Sequence, residues 1–136
     1  MSGNTTFAVA LHALSVLAYR GELTKSDYIA QSVNTNAVVV RRIMSKLVQA
    51  GIVRSVAGKN GGFELARAST DIPIDAVYTA VGAEHCFRIH DNAENPACAV
   101  SCGIKAALGG VLERVDAAVA TELGKTTLAD VVAQVS

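Results

Sequence analysis

The residues with the clearest chemical potential in this sequence form one basic segment near the middle of the chain. No Asp or Glu occurs between Asp27 and Glu64, whereas five cationic side chains do. They are Arg41, Arg42, Lys46, Arg54 and Lys59. Guanidinium and ammonium groups grip phosphates, and the planar guanidinium also bonds the edges of bases. The segment therefore indicates a surface that binds a polyanion.

Helical spacing arranges most of these cations on one face. Apolar residues recur at i, i+3, i+4 and i+7 from Val40 to Leu47, which predicts a helix that Asn34 or Thr35 caps and that ends near Gly51. The opposite face mixes short polar groups, a β-branched side chain and cations, namely Thr35, Val38, Arg42, Ser45 and Gln49, flanked by Arg41 and Lys46. Asn36, in the polar turn before the helix, is also expected to contact DNA. These groups suit base edges, phosphates and a thymine methyl in a major groove. A helix face that only meets water is the alternative, but such a face would also carry Glu.

A short hairpin is expected directly after this helix. Two β-type runs, 52–57 and 62–66, surround a turn of Gly58, Lys59, Asn60 and Gly61. The glycines allow a close backbone approach, and Arg54, Lys59, Asn60 and Gly61 supply groups for phosphate or minor-groove contacts.

Three cysteines form the second set of reactive residues. Cys98 is predicted at the start of a long helix, where the helix dipole stabilises a thiolate, and Cys102 follows one turn later. Cys86 lies in or beside a predicted loop, and in the sequence it stands between His85 and His90. Thiol chemistry, a metal site completed by a histidine, and incidental buried cysteine all remain open from spacing alone. His12, inside an apolar helix, is expected to be a core histidine.

The elements that position these residues follow from the remaining pattern. We expect a helix from Thr5 or Thr6 to Tyr19 and a short helix over 25–33 that Thr24 and Asp27 open as a capping box. A small helix over 74–81, a loop over 82–97, a long helix over 99–123 and a short helix from Leu128 complete the chain. The fold class is mainly α with a small β-hairpin, in the order of a winged helix-turn-helix.

Composition supports one small domain with two unlike halves. The chain has 136 residues, 51% of them hydrophobic and 18% charged, and its net charge is zero. Residues 1–67 hold eight Lys or Arg against three Asp or Glu, and residues 68–136 hold four against nine. We expect a DNA-binding unit over 1–81, a sensor loop over 82–97 and a dimerisation helix with a C-terminal helix over 98–136. No signal peptide or membrane span is visible, which favours the cytoplasm.

The motifs together resemble the bacterial Rrf-two family of winged helix-turn-helix regulators. The resemblance rests on SVNTN at 32–36, VVVRRIM at 38–44, AGIV at 50–53, GGFELA at 61–66 and TLAD at 127–130, and it covers nearly the whole chain. It implies that the third helix enters the major groove, that the wing lies on the DNA backbone and that the long helix forms a homodimer. A dimer of this kind binds a near-palindromic operator on double-stranded DNA.

The cysteine spacing sets this chain apart from part of that family. Several members bind an iron–sulfur cluster through three cysteines about five residues apart, whereas Cys86, Cys98 and Cys102 are unevenly spaced. The sequence is closer to a branch with a single cysteine before the dimer helix, for which no cofactor is expected. We therefore expect a transcriptional regulator, a repressor rather than an enzyme, that senses oxidants or electrophiles through Cys98, with Cys102 or Cys86 as its partner. A cluster held by all three cysteines, and less favourably a thiol oxidoreductase, are the alternatives.

Overall fold

The computed structural model describes residues 5–83 and 85–135. Its helices are α1 (Thr5–Arg20), α2 (Ser26–Val33), α3 (Ala37–Gln49), α4 (Ile74–Ala80), α5 (Ala99–Leu123) and α6 (Leu128–Ala133). Strands β1 (Val53–Val56) and β2 (Gly62–Leu65) form the hairpin, and a short 3-10 turn covers Ser69–Asp71. The order helix, helix, helix, hairpin confirms the winged helix-turn-helix.

The turn between α2 and α3 depends on two asparagines. Asn34 ends α2 in a left-handed conformation, with φ of 67°, and donates its N–H to the carbonyl of Ala30. Asn36 begins α3, and its side-chain oxygen accepts the N–H of Val39 at 3.0 Å. The expectation that Asn34 or Thr35 caps α3 is therefore wrong by one or two residues, because Asn34 is needed to reverse the chain.

The capping box expected at Thr24 is also absent. Thr24 is buried, its hydroxyl donates to the carbonyl of Glu22, and its backbone pairs with Phe63 of the hairpin. Lys25 occupies the cap position of α2 without a side-chain cap. Thr24 is thus used to attach the wing to the helical body, which a local sequence pattern does not reveal.

The hairpin is antiparallel and short. Val53 pairs with Leu65 and Val56 pairs with Gly62. Gly62 has φ of +152°, and a Cβ at this position would lie 2.6 Å from the carbonyl oxygen of Thr24. A side chain would clash there, so the glycine allows β2 to approach the segment before α2.

One apolar core joins every helix except α5. Its members are Ala10, Ala13, Leu14, Leu17, Ile29, Ala30, Val40, Ile43, Met44, Leu47, Ile52, Val53, Ile72, Val77, Val81 and Leu128. Leu128 is fully buried, so α6 returns to pack on α1 although it lies at the far end of the chain. His12 is outside this core, contrary to the prediction: it is exposed, and its Nε2 lies 2.9 Å from the Ser32 hydroxyl.

Helix α5 differs from the other helices because it buries none of its 25 residues. Its packing on the rest of the chain is mainly against α4. Over the described residues, no helix is long and apolar enough to cross a membrane.

Candidate nucleic-acid interface

The exposed face of α3 carries the side chains that the sequence placed there. Val40, Ile43, Met44 and Leu47 are buried in the core, so the helix is fixed along one side. The residues on its opposite side are all exposed, namely Val38, Arg41, Arg42, Ser45, Lys46 and Gln49. Val38 is 54% exposed, so its two methyl groups are available for contact. Three cations, a hydroxyl, an amide and two methyl groups therefore share one protruding surface.

The start of this helix adds polar groups to the same surface. Asn36 is exposed, and its cap bond occupies only its side-chain oxygen. Thr35 is half-buried in the turn before the helix, so it lies next to the predicted face and not on the helix itself. Arg41 Nη1 lies 3.4 Å from the Ser26 hydroxyl, which joins the basic face of α3 to the start of α2.

The wing adds a cationic residue, Lys59, to those on α3. Lys59, Asn60 and Gly61 lie at the tip between the strands, and the ammonium group of Lys25 donates a hydrogen bond to the carbonyl oxygen of Lys59. Lys25 was missed at the sequence level, since it lies outside the acid-free segment and its partner is 34 residues away. The long-range bond holds the Lys25 ammonium group against the backbone of the wing tip.

Two of the predicted wing residues have roles within the fold. Arg54 Nη1 forms an ion pair with Glu64 Oε2 at 2.8 Å, and these residues face each other across the hairpin. A Cβ at Gly61 would lie 2.0 Å from the carbonyl oxygen of Val56, so the turn closes only with glycine there. Lys59 and Asn60 carry the exposed polar side chains at the tip.

The cysteines fall into two separate places. Cys98 caps α5, and its Sγ accepts the Ser101 N–H at 3.5 Å. Cys102, one turn later, points its thiol at the carbonyl oxygen of Asn95 at 3.6 Å. Both are exposed. The hydrogen bonds differ in direction, because the sulfur of Cys98 accepts whereas that of Cys102 donates.

Cys86 is half-buried against the middle of α5. Its N–H donates to Asp116 Oδ1 at 3.1 Å, while His85 Nδ1 lies 2.8 Å from Asp116 Oδ2. The hydrogen bond from His85 and then that from Cys86 hold the pKa of Asp116 below its usual value. The Cys86 thiol lies 3.6 Å from the Tyr78 hydroxyl. Burial, followed by this contact with Cys86, raises the pKa of Tyr78 to about 12.

A recognition-type helix exposed beside a β-wing, with basic side chains on both, defines a winged-helix DNA-binding regulator. The comparisons with known proteins agree. The family model Rrf2, described as iron-dependent transcriptional regulator, matches residues 3–134. The chain therefore belongs to the Rrf2 family, which confirms the Rrf-two resemblance. The members are transcriptional regulators, which also confirms the prediction that the chain is not an enzyme.

Individual relatives cover nearly the whole chain. The "Putative HTH-type transcriptional regulator YwnA" of Bacillus subtilis (strain 168) is 43% identical over 129 residues, 94% of this chain and 95% of that protein. A solved "putative DNA binding protein" is 40% identical, with a TM-score of 0.75 over 93% of this chain and 97% of its own. Staphylococcus aureus CymR in its oxidized form shares the fold, with 23% identity, a TM-score of 0.70, and coverage of 97% of this chain and 96% of its own.

The family description raises the question of iron, and the cysteines do not fit a cluster. A cluster needs ligands that converge on one point. Cys86 is bound to Asp116, which follows Cys102 by 14 residues and thus lies about 21 Å further along α5 at about 1.5 Å per residue. Among the described residues, no three His, Cys, Asp or Glu side chains are grouped for a metal. One chain in this conformation does not bring Cys86, Cys98 and Cys102 together.

Proposed function

We propose that the protein is a homodimeric repressor that binds a near-palindromic operator on double-stranded DNA and responds to oxidants or electrophiles through Cys98. The observation that carries this proposal is the exposed polar and basic face of α3, held from behind by four buried side chains. A rigid helix with this surface is what major-groove recognition requires. Because its target is genomic DNA, we place its site of action in the cytoplasm.

Base contacts are assigned to the centre of the α3 face. Arg42 has the fork geometry for a guanine, Ser45 bonds either type of base, and Val38 packs on a thymine methyl. Arg41 and Lys46 flank this line and are assigned to phosphates on either side of the groove. Thr35 and Asn36, at the start of the helix, are placed against the DNA backbone, where the helix dipole favours a phosphate.

The wing is assigned to the DNA backbone. Lys59 and Asn60 protrude at the tip, Gly61 keeps the turn tight, and Lys25 holds the tip through the Lys59 carbonyl. Arg54 contributes less, because a phosphate would have to replace Glu64 as its partner. The wing therefore adds affinity that varies little with sequence and falls with salt.

The dimer is assigned to α5. This helix is about 37 Å long at 1.5 Å per residue, and none of its side chains is buried in a single chain. Val100 and Val111 are 68% and 44% exposed, and they share one side with Ile104, Leu108, Val115, Ala118 and Val119. Apolar surface of this extent indicates a partner. A second copy related by two-fold symmetry would present two α3 helices to half-sites about one DNA turn apart.

This assignment divides the chain by role. Residues 1–81 form the DNA-binding unit, 82–97 the sensor loop and 98–136 the dimerisation helix with the C-terminal helix, although α6 packs on α1 of the first unit. The loop and α5 are then the parts that can shift relative to the DNA-binding unit.

Sensing is assigned to the exposed pair at the start of α5. The Cys98 thiolate attacks hydrogen peroxide, hydroxide leaves, and a sulfenic acid forms on Cys98. The Cys102 thiol then condenses with it, releasing water and forming a disulfide. Cys86 is about 20 Å from Cys102 within one chain, so Cys102 is the resolving partner. A quinone would instead add to the Cys98 sulfur.

The proposal is tested by selecting bound sequences from random DNA and measuring affinity for the selected site by fluorescence anisotropy. We expect a near-palindromic consensus, at least about a thousandfold preference over scrambled DNA, and steep loss of affinity between 50 and 200 mM salt, values typical of specific operators. Peroxide should weaken binding of the wild type. Enrichment of no sequence would refute DNA recognition, and affinity unaffected by peroxide or a quinone would refute cysteine sensing.

A further inference from the structure

Helix α5 itself packs lightly on the DNA-binding unit, although the chain directly after it is held there by a hydrogen bond from the Ile74 N–H to the Thr126 carbonyl at 2.9 Å. It has no buried side chain, and α4 is its main packing partner. Apolar packing alone therefore does little to fix the direction in which α5 leaves the unit. Polar contacts at this junction then have more influence than they would in a packed core.

One carboxylate provides such contacts. Asp116, near the middle of α5, accepts hydrogen bonds from the Cys86 N–H at 3.1 Å and from the His85 ring at 2.8 Å. We call Asp116, His85 and Cys86 the latch. The side chain of Asp116 is only 24% exposed, so water competes for it less than for an open surface carboxylate. The latch ties the first part of the loop to the helix that is assigned to the dimer.

The latch is connected to the DNA-binding unit through one aromatic side chain. The Tyr78 hydroxyl of α4 contacts the Cys86 sulfur at 3.6 Å, and the Tyr78 ring packs edge-on against Phe7 of α1 at 5.1 Å. Helix α1 packs directly on α3. A continuous set of contacts therefore runs from Asp116 on α5 to the helix bearing the proposed base contacts.

We propose that Asp116 is a positioning residue: by binding Cys86 and His85 it fixes the angle of α5 relative to the DNA-binding unit and thereby sets the distance between the two α3 helices of the dimer. This inference rests on the proposed dimeric DNA binding. Loss of the latch leaves each α3 intact and changes only how the two are spaced. The same loss uncovers the Cys86 thiol, which the latch holds against Tyr78.

The latch is tested first by thiol accessibility, which does not depend on DNA. Asp116→Ala and Asp116→Asn are treated with limiting N-ethylmaleimide, and each cysteine is followed by peptide mass spectrometry. In Asp116→Ala we expect Cys86 to react about tenfold faster, the factor that about 1.4 kcal/mol provides, while Cys98 and Cys102 are unchanged. Asp116→Asn, which can still accept the Cys86 N–H, should give a smaller rise in the rate at which Cys86 reacts.

Glu113→Ala, which removes an exposed carboxylate from the same helix, is the control. An unchanged Cys86 rate in Asp116→Ala would overturn the latch.

The positioning role is tested on operators whose half-sites are moved apart or together by one and two base pairs. Asp116→Ala should discriminate among these spacings several-fold less than the wild type, with unchanged affinity for an isolated half-site. A faster Cys86 reaction with unchanged spacing preference would overturn the positioning role. If the wild type binds no operator, the proposed function fails, and the maleimide rates alone then decide whether the latch exists.

Discussion

Helices α3 and α5 use their apolar residues in opposite ways. Helix α3 has 13 residues and buries Val40, Ile43, Met44 and Leu47 in the core of its own chain, which leaves its polar face free. Helix α5 has 25 residues, many of them Ala, Val or Leu, and buries none. Within one chain, helix α3 has all of its apolar side covered by the core. Helix α5 keeps apolar surface that one chain does not cover.

The difference separates two kinds of function. A polar face held rigidly from behind is suited to a charged partner, because its side chains are already oriented. An apolar face without cover gains free energy by excluding water against another apolar surface. We therefore assign recognition of DNA to α3 and assembly to α5, and the following predictions test that division, beginning with the largest expected effect.

The assignment of assembly to α5 predicts that a charge on its exposed apolar side prevents dimer formation. Val111→Glu should convert the dimer to a monomer of 14.1 kDa, measured by light scattering, because an unpaired carboxylate cannot be buried between two helices. Operator affinity should fall by about a hundredfold or more, since the two α3 helices no longer bind together. Ala120→Glu, on the opposite side of α5, is the control and should remain dimeric. A dimeric Val111→Glu variant would remove α5 from the interface.

The complementary change at α3 should leave assembly intact. Arg42→Ala is expected to cost about 1–3 kcal/mol of specific binding and to relax the preference at one base pair, with an unchanged oligomeric mass. Arg88→Ala removes the same charge from the exposed loop and should have little effect on specificity. Equal specific affinity for wild type and Arg42→Ala would place base recognition elsewhere.

The start of α5 should control DNA binding at α3 if the two helices are coupled. In the wild type we expect peroxide to weaken operator binding about tenfold, which requires about 1.4 kcal/mol of difference between the two states. Cys98→Ser should abolish this response, whereas Cys86→Ser should retain it, since Cys86 is far from the exposed pair. The measurement is operator affinity before and after peroxide on iron-free protein. An equal loss in wild type and Cys98→Ser would exclude Cys98.

A smaller effect distinguishes phosphate contacts from base contacts. Lys59→Ala should weaken binding to all sequences alike and lower the slope of log affinity against log salt by about one unit. Arg54→Ala should change the slope less, because Arg54 is already paired with Glu64 at 2.8 Å. A changed sequence preference in Lys59→Ala, at an unchanged salt slope, would contradict the assignment of the wing to the backbone.

The smallest effect concerns the junction between the two regions. Burial and then the Cys86 thiol raise the pKa of Tyr78 to about 12, above the value of about 10 in an unfolded chain. The folded state therefore holds this proton more tightly, and the stability that it provides is complete below pH 10 and is lost as the pH rises to about 12. Absorbance titration at 295 nm should show one tyrosine ionising near pH 12 in the wild type. If the ionisation near pH 12 persists in Tyr78→Phe, another tyrosine has the raised pKa.

Helix α3 was the region that could be predicted best from the sequence. Its buried stripe and its exposed cations follow from residue spacing, and spacing is preserved whatever the helix packs against. The first residue of α3 was harder to predict, because Asn34, Thr35 and Asn36 are all good caps. The choice of Asn36 depends on Asn34 reversing the chain after α2.

Residues with distant partners were the ones that prediction missed. Thr24 looks like a helix cap locally, but its backbone pairs with the backbone of Phe63 in the wing. His12 looks like a core residue, yet its partner is Ser32 on the neighbouring helix. Lys25 and Asp116 carried no local signal, since each binds a group about 30 residues or more away.

By itself, the sequence determined the order of elements, the two faces of α3, the hairpin and the apolar excess of α5, because these depend on periodicity and turn residues within short windows. Only the tertiary structure decided that α6 returns to α1, that Arg54 is already paired, and that Cys86 lies about 20 Å from Cys102. The physical reason is that hydrogen bonds and ion pairs depend on the distance between two atoms in space. For residues far apart in the chain, that distance is set by how the helices pack and not by the residues between them.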